Sequence, residues 1–163
     1  MKIGIIADTH NRIDLTKKAI EIFKENKTDY VIHAGDLTSP KMLDLFEGCN
    51  CRFVLGNSDI DERLLSLKSE GMGFGCIEKT CIFELDGKSF IVFHGDDVPS
   101  FRQAVSSGKY NYIIKGHTHF FENYISNNAR IINPGCLYRG DECSIAILDV
   151  ENDTVERIKV EID

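Results

Sequence analysis

Lys2-Ile3-Gly4-Ile5-Ile6-Ala7-Asp8-Thr9-His10 opens with an apolar run and ends on two metal-type side chains, Asp8 and His10. Residues 2–7 are apolar enough for a strand buried in a sheet. The run could mimic the start of an export signal. Asp8 and His10 interrupt it too soon for that, so a cytoplasmic protein is expected. The same arrangement recurs downstream. Apolar runs at 31–34, 53–55, 90–93 and 112–114 end within a residue or two of Asp36, Asn57, His94 and the pair His117 and His119. In open α/β sheets, ligands bind beyond the carboxyl ends of the strands, where successive loops converge. Five loops can therefore deliver seven oxygen and imidazole ligands to one crevice. Gly35, Gly56 and Gly116 precede their ligands and Gly95 follows His94, where a strand must turn sharply or the backbone come close to an ion.

Between these runs the first half alternates strand with helix. Helical spacing through Leu15, Ala19, Ile22 and Phe23 predicts a helix over 13–25, and residues 30–34 and 52–55 read as strands. Ser39-Pro40 is a helix start, with Ser as N-cap and Pro at the first position. A further helix is expected over 61–69. This alternation implies a parallel sheet with crossover helices. The second half carries antiparallel signals. Strands at 81–85 and 88–93 flank Asp86-Gly87, a favoured two-residue hairpin turn. A helix over 99–106 and a strand over 112–115 come next. Then there are two more hairpins, 122–126 with 130–133 across Asn127-Asn128, and 144–150 with 154–162 across Asn152-Asp153. Two sheets packed face to face, with helices outside, are expected.

The 163 residues suit a single domain spanning 1–163, large enough for a core without covalent staples. The six cysteines are read as reduced bystanders, since no C-x-x-C spacing marks a structural zinc site. No segment has the roughly 20 apolar residues of a membrane span. The formal charge is −7, and the longest basic cluster is Lys17-Lys18, which disfavours polymeric nucleic acid and anionic membranes as partners. Phosphorylated substrates stay open, because bound cations reverse the field locally.

Imidazole, carboxylate and carboxamide without thiolate suit divalent transition ions, with manganese first and nickel, iron, zinc or cobalt as alternatives. Two neighbouring ions need a bridge, and Asp36, alone after its strand, is the natural one.

The set D-x-H, G-D, G-N, H-G and G-H-T-H closely resembles the calcineurin-like metallophosphoesterase superfamily, in length and motif order its small single-domain phosphodiesterase branch. The resemblance implies an α/β fold, a four-layer α/β/β/α sandwich of two mixed sheets. It implies one divalent ion on Asp8, His10, Asp36 and His119, and a second on Asp36, Asn57, His94 and His117, with a hydroxide between them. Asp36, Asn57 and His94 are expected to carry the catalysis on a small phosphodiester. A homo-oligomer is compatible with the sequence. The alternatives are a phosphomonoesterase and a non-catalytic scaffold like the retromer subunit of the same fold.

One departure matters. Many members have G-N-H-E where this chain has Gly56-Asn57-Ser58-Asp59, and a serine protonates a leaving alkoxide poorly. The general acid is thus unidentified, and leaving groups of low pKa are expected to react best. The family's N-P-G-S is Asn133-Pro134-Gly135-Cys136 here. Of the remaining residues, His33 is read as a hydrogen-bonded core histidine. Tyr138 and Arg139 are read as a solvated face, and Phe120 and Phe121 either line a cleft or pack beneath the loop.

Overall fold

The structure, a computed structural model, describes residues 1–138 and 142–162. In chain order the strands are β1 (Lys2–Ile6), β2 (Tyr30–His33), β3 (Cys51–Phe53), β4 (Thr80–Leu85), β5 (Lys88–Phe93), β6 (Tyr112–Ile114), β7 (Phe121–Ser126), β8 (Ala129–Pro134), β9 (Ser144–Asp149) and β10 (Thr154–Lys159). The α-helices are α1 (Ile13–Glu25), α2 (Glu62–Gly71) and α3 (Val98–Ser107), and Pro40–Phe46 forms a 3₁₀ helix.

Helix α1 forms because Leu15, Thr16, Ala19, Ile20 and Phe23 fall on one buried stripe. The Ser39-Pro40 start is used as expected, Ser39 Oγ accepting from the Lys41 amide at 3.3 Å. The helix it opens is of the 3₁₀ type and seven residues long. Helix α3 begins at Asp97, whose carboxylate accepts from the Ser100 amide, and ends on Gly108 at φ +63°. The hairpin turns have the left-handed pairs their sequences call for: Asp86 (+52°) with Gly87 (+70°), and Asn127 (+47°) with Asn128 (+66°).

The first sheet has the order β10-β9-β1-β2-β3 and the second β4-β5-β6-β8-β7. β1, β2 and β3 run parallel, with Ile6 beside His33 and His33 beside Phe53. β5, β6 and β8 are parallel in the second sheet. The last hairpin returns to the first sheet, β9 lying antiparallel to β1 with Lys2 opposite Asp149. Ile3, Ile5, Ile32 and Ala146 of one sheet meet Phe90, Val92, Ile114 and Ile132 of the other in a shared core. The outer face of the first sheet is covered by α1, the 3₁₀ helix and α2 through Leu15, Phe23, Phe46 and Leu65. Ala104 and Phe101 of α3 cover the second. This is the α/β/β/α sandwich that the motifs imply.

The rim bearing the amino ends of β1 and β6 carries a polar clasp between the sheets. Arg130 of β8 donates from Nε and Nη2 to the two oxygens of Asp153, both at 2.8 Å, and the Tyr112 hydroxyl donates to Asp153 Oδ1 at 3.1 Å. Asp153 lies on the loop joining β9 to β10, so the clasp spans the two sheets.

Candidate metal centre

At the opposite rim the parallel strands end on the candidate ligands, and the backbone there is left-handed. Asp8 (+52°), His10 (+40°), Asp36 (+63°), His117 (+68°) and His119 (+64°) all have positive φ. That conformation costs a residue with a Cβ roughly 1–2 kcal/mol. Five such residues at one rim mark a site where geometry is held against local preference. The loops are stitched together by main-chain bonds: Asp8 N–H to Gly35 O (3.0 Å), His10 N–H to Asp36 O (3.0 Å), Gly116 N–H to His94 O (2.8 Å) and Leu137 N–H to Asp8 O (3.2 Å).

The side chains converge accordingly. His119 Nε2 is 3.2 Å from Asp8 Oδ1, and His10 Nε2 is 4.0 Å from the same oxygen. Asp36 Oδ2 lies between two imidazoles, 3.3 Å from His10 Nε2 and 3.4 Å from His94 Nε2. Two groups of mutually close ligand atoms result, Asp8 with His10 and His119, and Asp8 with Asp36 and His94. Asp8 therefore reaches both groups, which the motif order alone does not indicate. The His117 ring stands edge-on to His94 with centroids 5.1 Å apart. Asn57 is exposed on the loop after β3, and the next residue, Ser58, holds Asp36.

Glycine is required where these loops meet. A Cβ at Gly56 would overlap Asp36 Oδ1, and one at Gly116 would sit 2.7 Å from Asp8 Oδ2.

Two buried histidines show how the site differs from ordinary core. His33 is satisfied at both nitrogens: the Gly35 amide donates to Nδ1 at 3.2 Å, and Nε2 meets Thr9 Oγ1 at 3.1 Å. His94 Nδ1 pairs with the Ala34 carbonyl at 2.9 Å, which sets that nitrogen as the donor and turns Nε2 toward the carboxylates. Nε2 itself has no aligned hydrogen-bond partner, and neither do the buried Asp8 Oδ1 and His10 Nε2. Buried polar atoms without partners are rare. Asp8 Oδ1 lies 4.0 Å from His10 Nε2 and 3.9 Å from His94 Nε2, and these lone pairs, the last backed by an imidazole N–H on a carbonyl, fit cations held on either side of Asp8.

The titration behaviour agrees. Burial pushes Asp8 up to about 7, against the pull of His94. Burial would raise Asp36 too, but His94 and the Ser58 donors hold it well below the usual carboxylate range. Burial would lower His94, yet Asp36, the Ala34 carbonyl and Asp8 push it up to about 9. Burial lowers His10 and His119. The carboxylates thus draw positive charge onto His94, while burial disfavours it on His10 and His119. His33, by contrast, is driven down to about 3 by burial.

Sequence reading missed the supporting residues. Asn133 Nδ2 donates to Gly116 O at 2.8 Å and to Thr118 Oγ1 at 3.0 Å, fixing the loop that bears His117 and His119. Ser58 and Asp59 tie the Asn57 loop to Asp36. Of the aromatic candidates, Phe121 packs against the shared core, whereas Phe120 is 74 % exposed. The Tyr138 ring lies 4.4 Å from that of His10. Arg139 lies outside the described residues.

A sequence profile of the calcineurin-like phosphoesterase superfamily domain matches residues 1–153. The chain belongs to this superfamily. A protein named as a phosphodiesterase from Methanocaldococcus jannaschii is 34 % identical to this phosphoesterase, over 99 % of the chain and 100 % of that protein. A probable metallophosphoesterase from Mycoplasma pneumoniae is 30 % identical, over 83 % of the chain and 79 % of its own length. The solved structure of an archaeal phosphodiesterase superposes with a TM-score of 0.90 at 33 % identity, over 98 % of this chain and 100 % of that one. Vps29 of Chaetomium thermophilum matches at 0.70 with 15 % identity, over 100 % and 98 %, a likeness of fold alone.

Proposed function

We propose that this phosphoric ester hydrolase is a phosphodiesterase built on a two-ion centre. Asp8, His10, Asp36 and His119 hold one divalent ion, and Asp36, Asn57, His94 and His117 the other. The single observation that carries this reading is the convergence of three buried, partnerless lone pairs, on Asp8 Oδ1, His10 Nε2 and His94 Nε2. Ions held by these residues would supply Lewis-acid activation of water and neutralise charge on the phosphoryl oxygens. Manganese is the first candidate, with nickel, iron, zinc or cobalt as alternatives.

The chain's own residues do the rest. Asp36 presents one oxygen between His10 and His94, the placement a bridging carboxylate needs. The Asn57 amide and a histidine N–H are the donors available to charge building on phosphorus-bound oxygen. No acid is placed by Ser58, whose hydroxyl donates to Asp36 Oδ2 at 3.0 Å and so is already committed. A leaving oxygen must then depart largely unprotonated, which favours aryl or strained cyclic diesters over alkyl monoesters. The similarity to a named phosphodiesterase across the whole chain supports the same substrate class. Among the described residues no helix is long and apolar enough to cross a membrane. A small phosphodiester in the cytoplasm is the substrate and setting we propose.

The test is turnover of bis(p-nitrophenyl) phosphate and of an alkyl phosphomonoester with Mn²⁺, Ni²⁺ or Zn²⁺. Diesterase activity abolished by chelation is expected. Strong alkyl monoesterase activity with little diesterase activity refutes the reading.

A further inference from the structure

Asp59 is a buried carboxylate, 1 % exposed, at which three main-chain donors are aimed. Its Oδ2 accepts from the Asp36 amide at 2.9 Å and from the Gly56 amide at 2.8 Å, and its Oδ1 from the Thr38 amide at 2.6 Å. Asp36 and Thr38 belong to the loop after β2, and Gly56 to the loop after β3. One side chain therefore fastens two separate loops. The bonds are charge-assisted, which compensates the buried charge and makes them stronger than amide–carbonyl pairs. Asp36 and Thr38 are also left-handed, at +63° and +67°, so two of the three donors sit in backbone that would relax without a tether.

The preceding residue completes the grip. Ser58 donates its amide to Asp36 Oδ1 at 2.9 Å and its hydroxyl to Oδ2 at 3.0 Å. The Gly56–Asp59 stretch thus fixes the main chain of Asp36 and both its oxygens, while carrying Asn57 between. Resting on the two-ion reading, we propose that Asp59 is the positioning residue that sets the distance between the two ion subsites. It does so by locking the Asp36 turn, common to both, against the Asn57 loop, which serves only one. Serine at position 58 then belongs to the same device. Where an imidazole would reach toward substrate, this chain directs a hydroxyl back onto the shared carboxylate.

The experiment titrates metal-free wild-type protein and Asp59→Asn with Mn²⁺, reading affinity calorimetrically and the ion pair by electron paramagnetic resonance. An amide cannot accept three N–H donors as a carboxylate does, and its own NH₂ opposes them. The expected result is a 10–100-fold loss of affinity at the weaker subsite, the usual effect of removing a residue that orients a ligand. The spin-coupled signal of paired manganese should give way to that of isolated ions. A folded Asp59→Asn protein that keeps the coupled signal, with both affinities within twofold of wild type, overturns the proposal. If that variant does not fold, amide exchange on wild type decides. Mn²⁺ must slow the Asp36, Thr38 and Gly56 amides together, because clamp and ion favour the same loop pair and the coupling is reciprocal. Exchange unaffected by Mn²⁺ at these three amides overturns it equally. Wild-type protein that takes up no Mn²⁺ refutes the metal centre itself, and protection of the three amides in wild type, lost in Asp59→Asn, then shows separately whether the clamp exists.

Discussion

Replacing Asp8 by asparagine should stabilise the metal-free protein while destroying its capacity for metal. Asp8 is fully buried, and its carboxyl is raised from 3.8 to about 7. At about 1.4 kcal/mol per pH unit, keeping it ionised at pH 8 costs roughly 4 kcal/mol, an upper figure because asparagine also loses the attraction of His94. Proton linkage sets the sign. An acid with a raised folded pKa binds more protons folded than unfolded between 3.8 and about 7, so its contribution to stability falls as pH rises through that window. Wild type alone does not reveal this, because His33, lowered from 6.5 to about 3, adds stability as pH rises from 3 to 6.5. His94, raised to about 9, removes it again between 6.5 and 9. The informative quantity is the difference between the two proteins. Chemical denaturation in chelator should show Asp8→Asn ahead by about 1–4 kcal/mol at pH 8 and level near pH 4. Mn²⁺ at about 1,000 times its Kd should cancel or reverse the order, since it stabilises wild type by about 4.1 kcal/mol and has little hold on the variant. An Asp8→Asn protein less stable than wild type in chelator at pH 8, or a difference that ignores pH, refutes the reasoning.

Gly116→Ala places a methyl 2.7 Å from Asp8 Oδ2 and 2.9 Å from Ala7 Cβ, so a thermal melt should show a loss of about 1–3 kcal/mol, and calorimetry a weaker uptake of Mn²⁺. His33→Leu leaves the Gly35 amide and Thr9 hydroxyl without their imidazole; denaturant titration should report about 1–3 kcal/mol lost, with turnover falling because Thr9 also leans on the Asp36 carbonyl. Phe120→Ala and Tyr138→Ala remove exposed rings, the first next to His119 in sequence and the second packed on His10; steady-state kinetics should show KM rising severalfold for phenyl p-nitrophenyl phosphate and little for the methyl analogue.

The positions of strands and turns were legible because local chemistry writes them. Residues 3–7 include no polar side chain to face water, and Asp86-Gly87 and Asn127-Asn128 tolerate the left-handed pairs a tight hairpin needs. Helix α1 was readable from its apolar stripe, although Ile20 is buried and Ile22 only partly so. The pairing of β9 with β1 was not legible, since it joins opposite ends of the chain and no local pattern encodes a partner. At the rim, His10, His94 and the Asp residues announced themselves by type and by their place after strands. Asp59 did not, because a carboxylate that accepts three amides looks in sequence like any loop acid. The left-handed turns at Asp8, Asp36 and His117 were hidden for a related reason: nothing about Asp or His demands that backbone, and the surrounding bonds impose it.

The Arg130–Asp153 clasp gives the molecule a hinge side and an opening side. Four of the proposed ligands leave the first sheet and three leave the second, so cations bound there would button the layers together at the margin opposite the clasp. Stripped of ions, the layers keep their shared core, the clasp and bonds such as His94 Nδ1 to the Ala34 carbonyl, and their seam should loosen first at the ligand-bearing edge. Protease nicks and early heat damage would then gather around the histidine loops, and metal supply would govern how long the protein survives as well as how fast it works.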